Sequence, residues 1–366
     1  MITRVTTRKP IGAILLGAII SLIAGYGVLL LVTEGIVLLW ERIPEQLGAS
    51  PYWYVLLLPI VAAVLVYVIR TRVGDSGHSP LSGLGVHPLT PREYVGAILA
   101  ILASLFGGAV LGPEVALIST GAVIGGIIAK LFKVENAKQV VSASAGGAIL
   151  ALVVNPILSG SAALNGQPTS IQVDQLLWAV AVALVATVLV TLARALAGYL
   201  HKTSSGGPHL VILVVAALVI AVSAIVMNVL ADLPFAYIAT SGEELISELP
   251  TLTSISTVVG VLVFKSIAYA VSLGSGFRGG PFFPAMFIGA AAGLLFSLIL
   301  PSGPAVVAAI TVGIVAAVIA TAPMKWPIAI GLGVVIGFLF GGWALVPAAV
   351  IGAVVARAIP RAKVSV

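Results

Sequence analysis

The sequence predicts an all-α integral membrane protein, a bundle of tilted and broken helices arranged as two related halves. Three observations carry this. The 366-residue chain is 60% apolar and only 8% charged, whereas soluble domains carry about a quarter charged residues. Apolar runs near or above the roughly 20 residues needed to cross a bilayer recur along the whole length. Its 40 glycines and 21 prolines fall largely in or between those runs, where small residues let helices approach closely. Breaks at membrane depth persist only where protein or a wet cavity surrounds them.

The first ten residues, MITRVTTRKP, are basic. The apolar run that follows, Ile11 to Val32, is too long for the core of a secretory signal, and no A-x-A cleavage pattern follows it. It therefore reads as a retained first helix. Membrane segments are predicted at 11–40, 53–70, 93–111, 113–132, 137–153, 172–200, 208–231, 252–273, 282–300, 304–321, 326–340 and 344–358. Stretches near 156–166 and 233–247 are too short or too polar to span. Lys and Arg collect at both ends, at Arg4, Arg8, Lys9, Arg357, Arg361 and Lys363. The positive-inside rule then puts both termini in the cytoplasm, with a prokaryotic inner membrane as the expected location. This division gives cytoplasmic ends at 1–10 and 361–366 and two membrane halves at 11–200 and 201–360.

The net charge of +6 on such a chain speaks first of topology, not of nucleic acid, and only weakly of attraction for anions. Cysteine is absent, which excludes disulfides, thiolate metal sites and cysteine nucleophiles. No HExxH, paired Cys/His cluster, P-loop or nucleophile elbow occurs. Neither an enzyme, a metal nor a cofactor is expected; the expected partners are a small anion and membrane lipid.

One internal repeat stands out. Gly112-Pro113-Glu114 opens an apolar stretch followed by Gly121-Ala122 and Gly125; Gly280-Pro281-Phe282 opens another, followed by Gly289-Ala290 and Gly293. All five Gly, Pro and Ala matches share one offset of 168 positions. Such duplication fits a two-half channel or transporter with its site at half-helix ends.

A helix that starts inside the membrane leaves amide groups unpaired at its N-terminus, and their partial positive charge attracts anions. Pro113 and Pro281 suit the first helical position, where a missing N–H costs little. The remaining donors are the amides of Glu114, Val115 and Ala116 and of Phe282 and Phe283. The plain alternative is that the prolines merely kink packed helices. Glu114 is the sharpest residue, because an acid at membrane depth is costly and points to function. Its carboxylate would seek the same amides as an anion, occupying the site when ionised and leaving it when protonated. The plain alternative is a carboxylate that caps its own helix.

Other candidates are weaker. Glu34 lies late in the first apolar run, near Glu41 and Arg42, and reads as a wet helix end. Asp174 reads as a helix-start acid. Lys265, inside VLVFKSIAYA, either snorkels to an interface or lends positive potential to the pathway. Gly74-Asp75-Ser76-Gly77-His78-Ser79-Pro80 is a polar turn in which a Ser hydroxyl could donate to an anion.

Taken in order, these stretches resemble the CLC family of chloride channels and anion/proton exchangers. The family pattern GSGIP is similar to Asp75 through Pro80 with one residue extra, which makes Ser76, with Gly77, the central-site donor. The pattern G-(K/R)-E-G-P is similar to Gly112 through Ala116, which makes Glu114 the gating glutamate. The pattern G-x-F-x-P is matched by Gly280-Pro281-Phe282-Phe283-Pro284, where Phe282 supplies an amide and a ring. Lys265 and Gly274-Ser275-Gly276 resemble the lead-in to this third motif, and Asn155-Pro156 with Gly160 the stretch after the second. The resemblance covers roughly residues 70–300.

It implies an inverted-repeat fold, a homodimer with one pathway per subunit, and a short member without cytoplasmic regulatory domains. The departures matter as well. Pro281 removes one amide, and Val115 and Ala116 replace Gly-Pro, restoring an N–H at Ala116. The family's C-terminal tyrosine falls on Val346 or Pro347, and the inner proton glutamate falls on Gln167. Gln carries no proton at accessible pH, so the reading tilts toward a passive channel or uncoupled transport of anions, chloride first. The alternatives are a proton-coupled exchanger of chloride or fluoride, a secondary transporter of another solute on an inverted-repeat fold, and a non-transporting scaffold.

Overall fold

Ten of the twelve predicted segments each correspond to a helix of their own, and the last two share one. The computed structural model describes residues 11–48, 51–74, 80–82, 86, 89–158, 176–203, 209–300, 305–322 and 324–359. Helix α1 (Ile11–Val37) continues through a π-helical turn (Leu38–Arg42) into the short α2 (Ile43–Gln46). There follow α3 (Tyr52–Arg72), α4 (Pro91–Phe106), α5 (Glu114–Leu131), α6 (Ala137–Leu158), α7 (Leu177–Thr203) and α8 (Leu210–Ala231). The chain closes with α9 (Ile255–Gly274), α10 (Phe282–Ile299), α11 (Val306–Thr321) and α12 (Trp326–Ala358). Among the described residues eight helical spans, with α1 and α2 taken together, are long and apolar enough to cross a membrane, and α11 is a shorter apolar helix. Ile23, Leu57, Leu192 and Val211 project from them into the surroundings, the apolar exterior that lipid requires. The chain is a multi-pass membrane protein.

Local chemistry sets the helix ends. Thr90 caps α4 through a reciprocal box, its hydroxyl accepting from the Glu93 amide at 3.3 Å while Glu93 accepts from the Thr90 amide at 2.8 Å. Ser254 caps α9 by accepting from the Thr257 amide. Helix α4 stops at Phe106, short of the expected 111, because Gly107 and Gly108 (φ +78°) turn the chain. The segments expected at 326–340 and 344–358 are the two limbs of α12, separated by non-helical Gly341 and Gly342 (φ +61°). Pro113 and Pro281 stand just before α5 and α10, one position earlier than expected. The stretch 233–247 indeed does not span. It folds into 3-10 turns at Phe235–Tyr237 and Glu244–Ser247, with a third at Leu249–Thr251.

Packing repeats in two sets. Helix α1 packs along α5 and α6, as α7 packs along α10 and α11; α4 lies against α5 as α9 lies against α10, and α3 and α8 pack on each other. The repeat glycines make these contacts. A Cβ at Gly121 would collide with the Ser144 carbonyl, and one at Gly125 would lie 2.7 Å from Val141 Cα, both on α6. In the other set, a Cβ at Gly289 would strike the Gly313 carbonyl and one at Gly293 the Ala309 carbonyl, both on α11. Without side chains at these points the backbones touch, and dispersion between them supplies the association that lipid does not oppose.

Charge divides by end. The end of α2, the start of α3 and the end of α8 lie together, joined by Tyr54 Oη to the Leu39 carbonyl (3.0 Å) and by Tyr52 to Asn228 (3.4 Å). This end carries Glu34, Glu41, Glu45, Asp232, Glu244 and Glu248. The start of α1 meets the end of α5 and the start of α6 at the other end, where Ala13, Ile128 and Val140 cluster. Lys130, Lys133 and Lys138 belong to that basic end.

Candidate functional site

The two breaks lie side by side. Gly112 and Gly280 exchange both backbone hydrogen bonds, N–H to O at 2.7 and 2.6 Å, as an isolated antiparallel bridge. Helices α5 and α10 start from this bridge and run in opposite directions. Residues 168 positions apart thus face each other, and the relation reaches further. Ser104 on α4 accepts from the amide of Arg278 at 2.9 Å, and Ser272 on α9 accepts from the amide of Val110 at 2.9 Å. Each serine also donates back to its own helix, to Ala100 and Ala268. Each half therefore clamps the other half's break with an equivalent serine. Gly108 and Gly276, again equivalent, take positive φ (+78° and +105°) at the two turns.

Glu114 sits in this junction and is 2% exposed. Its Oε1 accepts from the amides of Phe282 (2.9 Å) and Phe283 (2.8 Å), the first turn of the opposite broken helix. It therefore does more than cap its own helix. Its Oε2 is buried without a hydrogen-bond partner, pressed against the backbone of Gly280 and Gly112. Charge-assisted bonds of this kind are about twice as strong as neutral ones, and two converging amides at a helix start make a seat for one anionic oxygen. The amides of Val115 and Ala116 fall in the first turn of α5, where the helix offers no acceptor. Pro281 supplies no N–H; its carbonyl instead accepts from Tyr269 Oη at 2.7 Å. Pro284 lies in the first turn of α10, where its missing N–H leaves no bond broken.

Lys265 does not snorkel. It is fully buried, and Nζ donates to the carbonyls of Ala239 (3.3 Å) and Thr240 (3.2 Å) while lying 4.7 Å from the centre of the Phe287 ring. It pins residues 235–243 over the junction, and Thr240 is held there at φ +67°, a strained value for a β-branched residue. Lys265→Met would leave two carbonyls without a donor, at about 1–3 kcal/mol each, offset in part by removal of a desolvated charge. The expected result is faster amide exchange confined to residues 235–243, with the rest of the fold protected as before; uniform exchange would show that the clamp is not local.

Glu34 is at the wet helix end, 64% exposed and 3.4 Å from Arg42. Ser76, Gly77, His78, Gln167, Asp174 and Gly160 lie outside the described residues, as do the side chains of Asn155 and Pro156. Pro347 lies within the second limb of α12, and Val346 beside it. Ser104, Ser272, Tyr269 and Glu243 were not marked in the sequence. Tyr269 sits one turn after Lys265, on the same face of α9, a spacing that could have flagged it. Glu243 sits in the connection over the junction, where no local pattern marks it.

A model of the family described as voltage gated chloride channel matches residues 140–361. YfeO of Escherichia coli (strain K12 / DH10B), whose name assigns it a provisional role in ion transport, is 28% identical over 312 residues, 74% of each chain. Among solved structures, a slow cyanobacterial Cl−/H+ antiporter superposes with a TM-score of 0.71 at 16% identity, covering 94% of this chain and 92% of that one. A CLC-type fluoride/proton antiporter gives 0.69 at 17% identity, covering 95% of both.

Proposed function

We propose, on the premise that this chain belongs to the voltage gated chloride channel family, that it carries small inorganic anions, chloride foremost, across the membrane through the junction of its two broken helices. The observation that carries the reading is the seat of Glu114 on the amides of Phe282 and Phe283. An ionised carboxylate there holds the place of a permeant anion; a protonated one gives it up. With Ser76 and Gly77 we assign the amides of Val115, Ala116, Phe282 and Phe283 to anion binding and Glu114 to gating. Several weak donors in place of a full cation favour release as well as entry. Transport is passive or uncoupled, because Gln167 stands where exchangers hold their inner proton carrier.

We place the start of the second half at α7, before the expected residue 201, because α7 packs on α10 and α11 as α1 does on α5 and α6, and read the halves as inverted from the antiparallel starts of α5 and α10. The active form is a homodimer with one pathway per subunit, and both termini face the cytoplasm, as the Lys and Arg collected at the two ends of the sequence favour.

The test is purified protein in liposomes, with efflux of chloride, fluoride, nitrate and bicarbonate recorded together with proton movement. Anion efflux without a fixed proton count is expected. A constant chloride-to-proton ratio would replace uncoupled transport by exchange, and no anion efflux at all would end the proposal.

A further inference from the structure

Residues 232–254 lie across the acidic side of the junction. Thr240 donates its amide to the Gly108 carbonyl at 3.1 Å, and Lys265 holds the carbonyls beside it. Gly242, at φ +77°, is pressed so closely on α10 that a Cβ there would lie 2.8 Å from the Phe287 ring and 3.0 Å from Lys265 Nζ. Phe287 is one helical turn beyond Phe283, whose amide holds Glu114; a turn rises about 5.4 Å. Glu243, the next residue, therefore enters the protein beside the start of α10, near enough to Glu114 for the two carboxylates to repel each other. Its side chain is partly exposed, yet its Oε2 is buried and has no hydrogen-bond partner. Glu114 Oε2 is in the same condition.

Two buried carboxylate oxygens without donors are costly while both groups are ionised, and a proton held by the pair removes much of that cost. The charged and titratable groups facing Glu243 are Glu244 on its own segment, Glu114 on α5 and Lys265 on α9, whose ammonium is bonded to carbonyls. Tyr237 sits edge-on to the same Phe287 ring. Burial, and then the carboxylates of Glu244 and Glu114, push the Glu243 carboxyl well above the usual range, which favours its holding a proton. Outward of it, burial pushes Glu244 up to about 7, opposed by a hydrogen bond from Thr33 and assisted by Glu41, Glu34 and Glu248. A cavity of about 440 Å³ reaches this segment at Leu245 and Glu248 and is lined also by Glu41, Glu45 and Asp232.

We infer that Glu243 is the proton donor to Glu114, taking protons from the acidic mouth and passing them to the gate. The proton leaves the Glu243 carboxyl, which becomes a carboxylate, and neutralises Glu114, which frees the Phe282 and Phe283 amides; the mouth then reprotonates Glu243. The inference rests on the gating role of Glu114 and adds its supply route. No proton need cross the membrane.

The experiment is a rapid pH drop on proteoliposomes with anion efflux followed in time, for wild type, Glu243→Gln, Glu243→Asp and Glu114→Gln. Glu243→Gln is expected to slow the rise in efflux by about a hundredfold, the scale of a lost positioned acid, while the final efflux at low pH still responds to pH. Glu243→Asp restores much of the speed. An unchanged relaxation in Glu243→Gln, with pH response abolished in Glu114→Gln, overturns the relay and leaves the gate standing. A pH response surviving in Glu114→Gln overturns both. If Glu243→Gln does not fold, the wild-type relaxation is measured in heavy water; it is expected to slow, and an unchanged rate overturns the relay.

Discussion

Glu114→Gln is expected to conduct anions without regard to pH and, at neutral pH, about ten times faster than the wild-type chain. The carboxylate holds two amides of the opposite helix at 2.9 and 2.8 Å. On the proposed gating role a permeant anion must displace it, and a net advantage of about 1.4 kcal/mol for the charged acceptor over a neutral one is a tenfold change in occupancy. A Gln side chain fills the same space without that charge at any pH. In wild type the sign follows directly. Falling pH is expected to protonate Glu114, release the amides and raise flux; rising pH is expected to restore the block. Efflux from liposomes between acid and alkaline pH is the measurement, and a wild-type pH profile in the variant would remove Glu114 from the gate.

Gly280→Ala should produce the same loss of pH response by another route, together with a lower melting temperature. The added methyl would occupy the place of Glu114 Oε2 and lie 3.1 Å from Glu114 Cβ. The carboxylate must leave its seat, or the bridge to Gly112 must open. Overpacking of this kind costs about 1–3 kcal/mol. Gly280 does not need glycine for its φ, so the effect reports space alone. Gly126→Ala is the control: nothing lies within 4 Å of its new methyl, and helix propensity favours alanine by about 1 kcal/mol. A Gly280→Ala protein that keeps both wild-type stability and wild-type pH response would contradict the described junction.

Much of this was legible in the residues. Apolar length located the helices, Gly-Pro marked the two breaks, and the 168-residue offset linked positions that prove to be bonded to each other, Gly112 to Gly280 and Glu114 to Phe282. The same offset relates Ser104 to Ser272 and Gly108 to Gly276, but single serines and glycines carry little weight in so biased a composition. Lys265 was visible as a buried-looking cation, yet its acceptors, the carbonyls of Ala239 and Thr240, lie 26 and 25 residues away and follow from tertiary packing. Glu243 was hidden for the same reason. Its burial depends on Thr240 and Gly242 taking positive φ, a conformation that Thr does not advertise. The end of α4 was misplaced because Gly107 and Gly108 can sit within a membrane helix as easily as end one.

The reciprocal pairing of Gly112 with Gly280 has no sense of up or down. An ion arriving from either face meets the start of an equivalent helix and an equivalent serine-held turn, so the junction by itself favours neither influx nor efflux. Any rectification must then originate in what breaks the equivalence: Glu114 standing where its counterpart is Phe282, and the opposite charge of the two ends of the bundle.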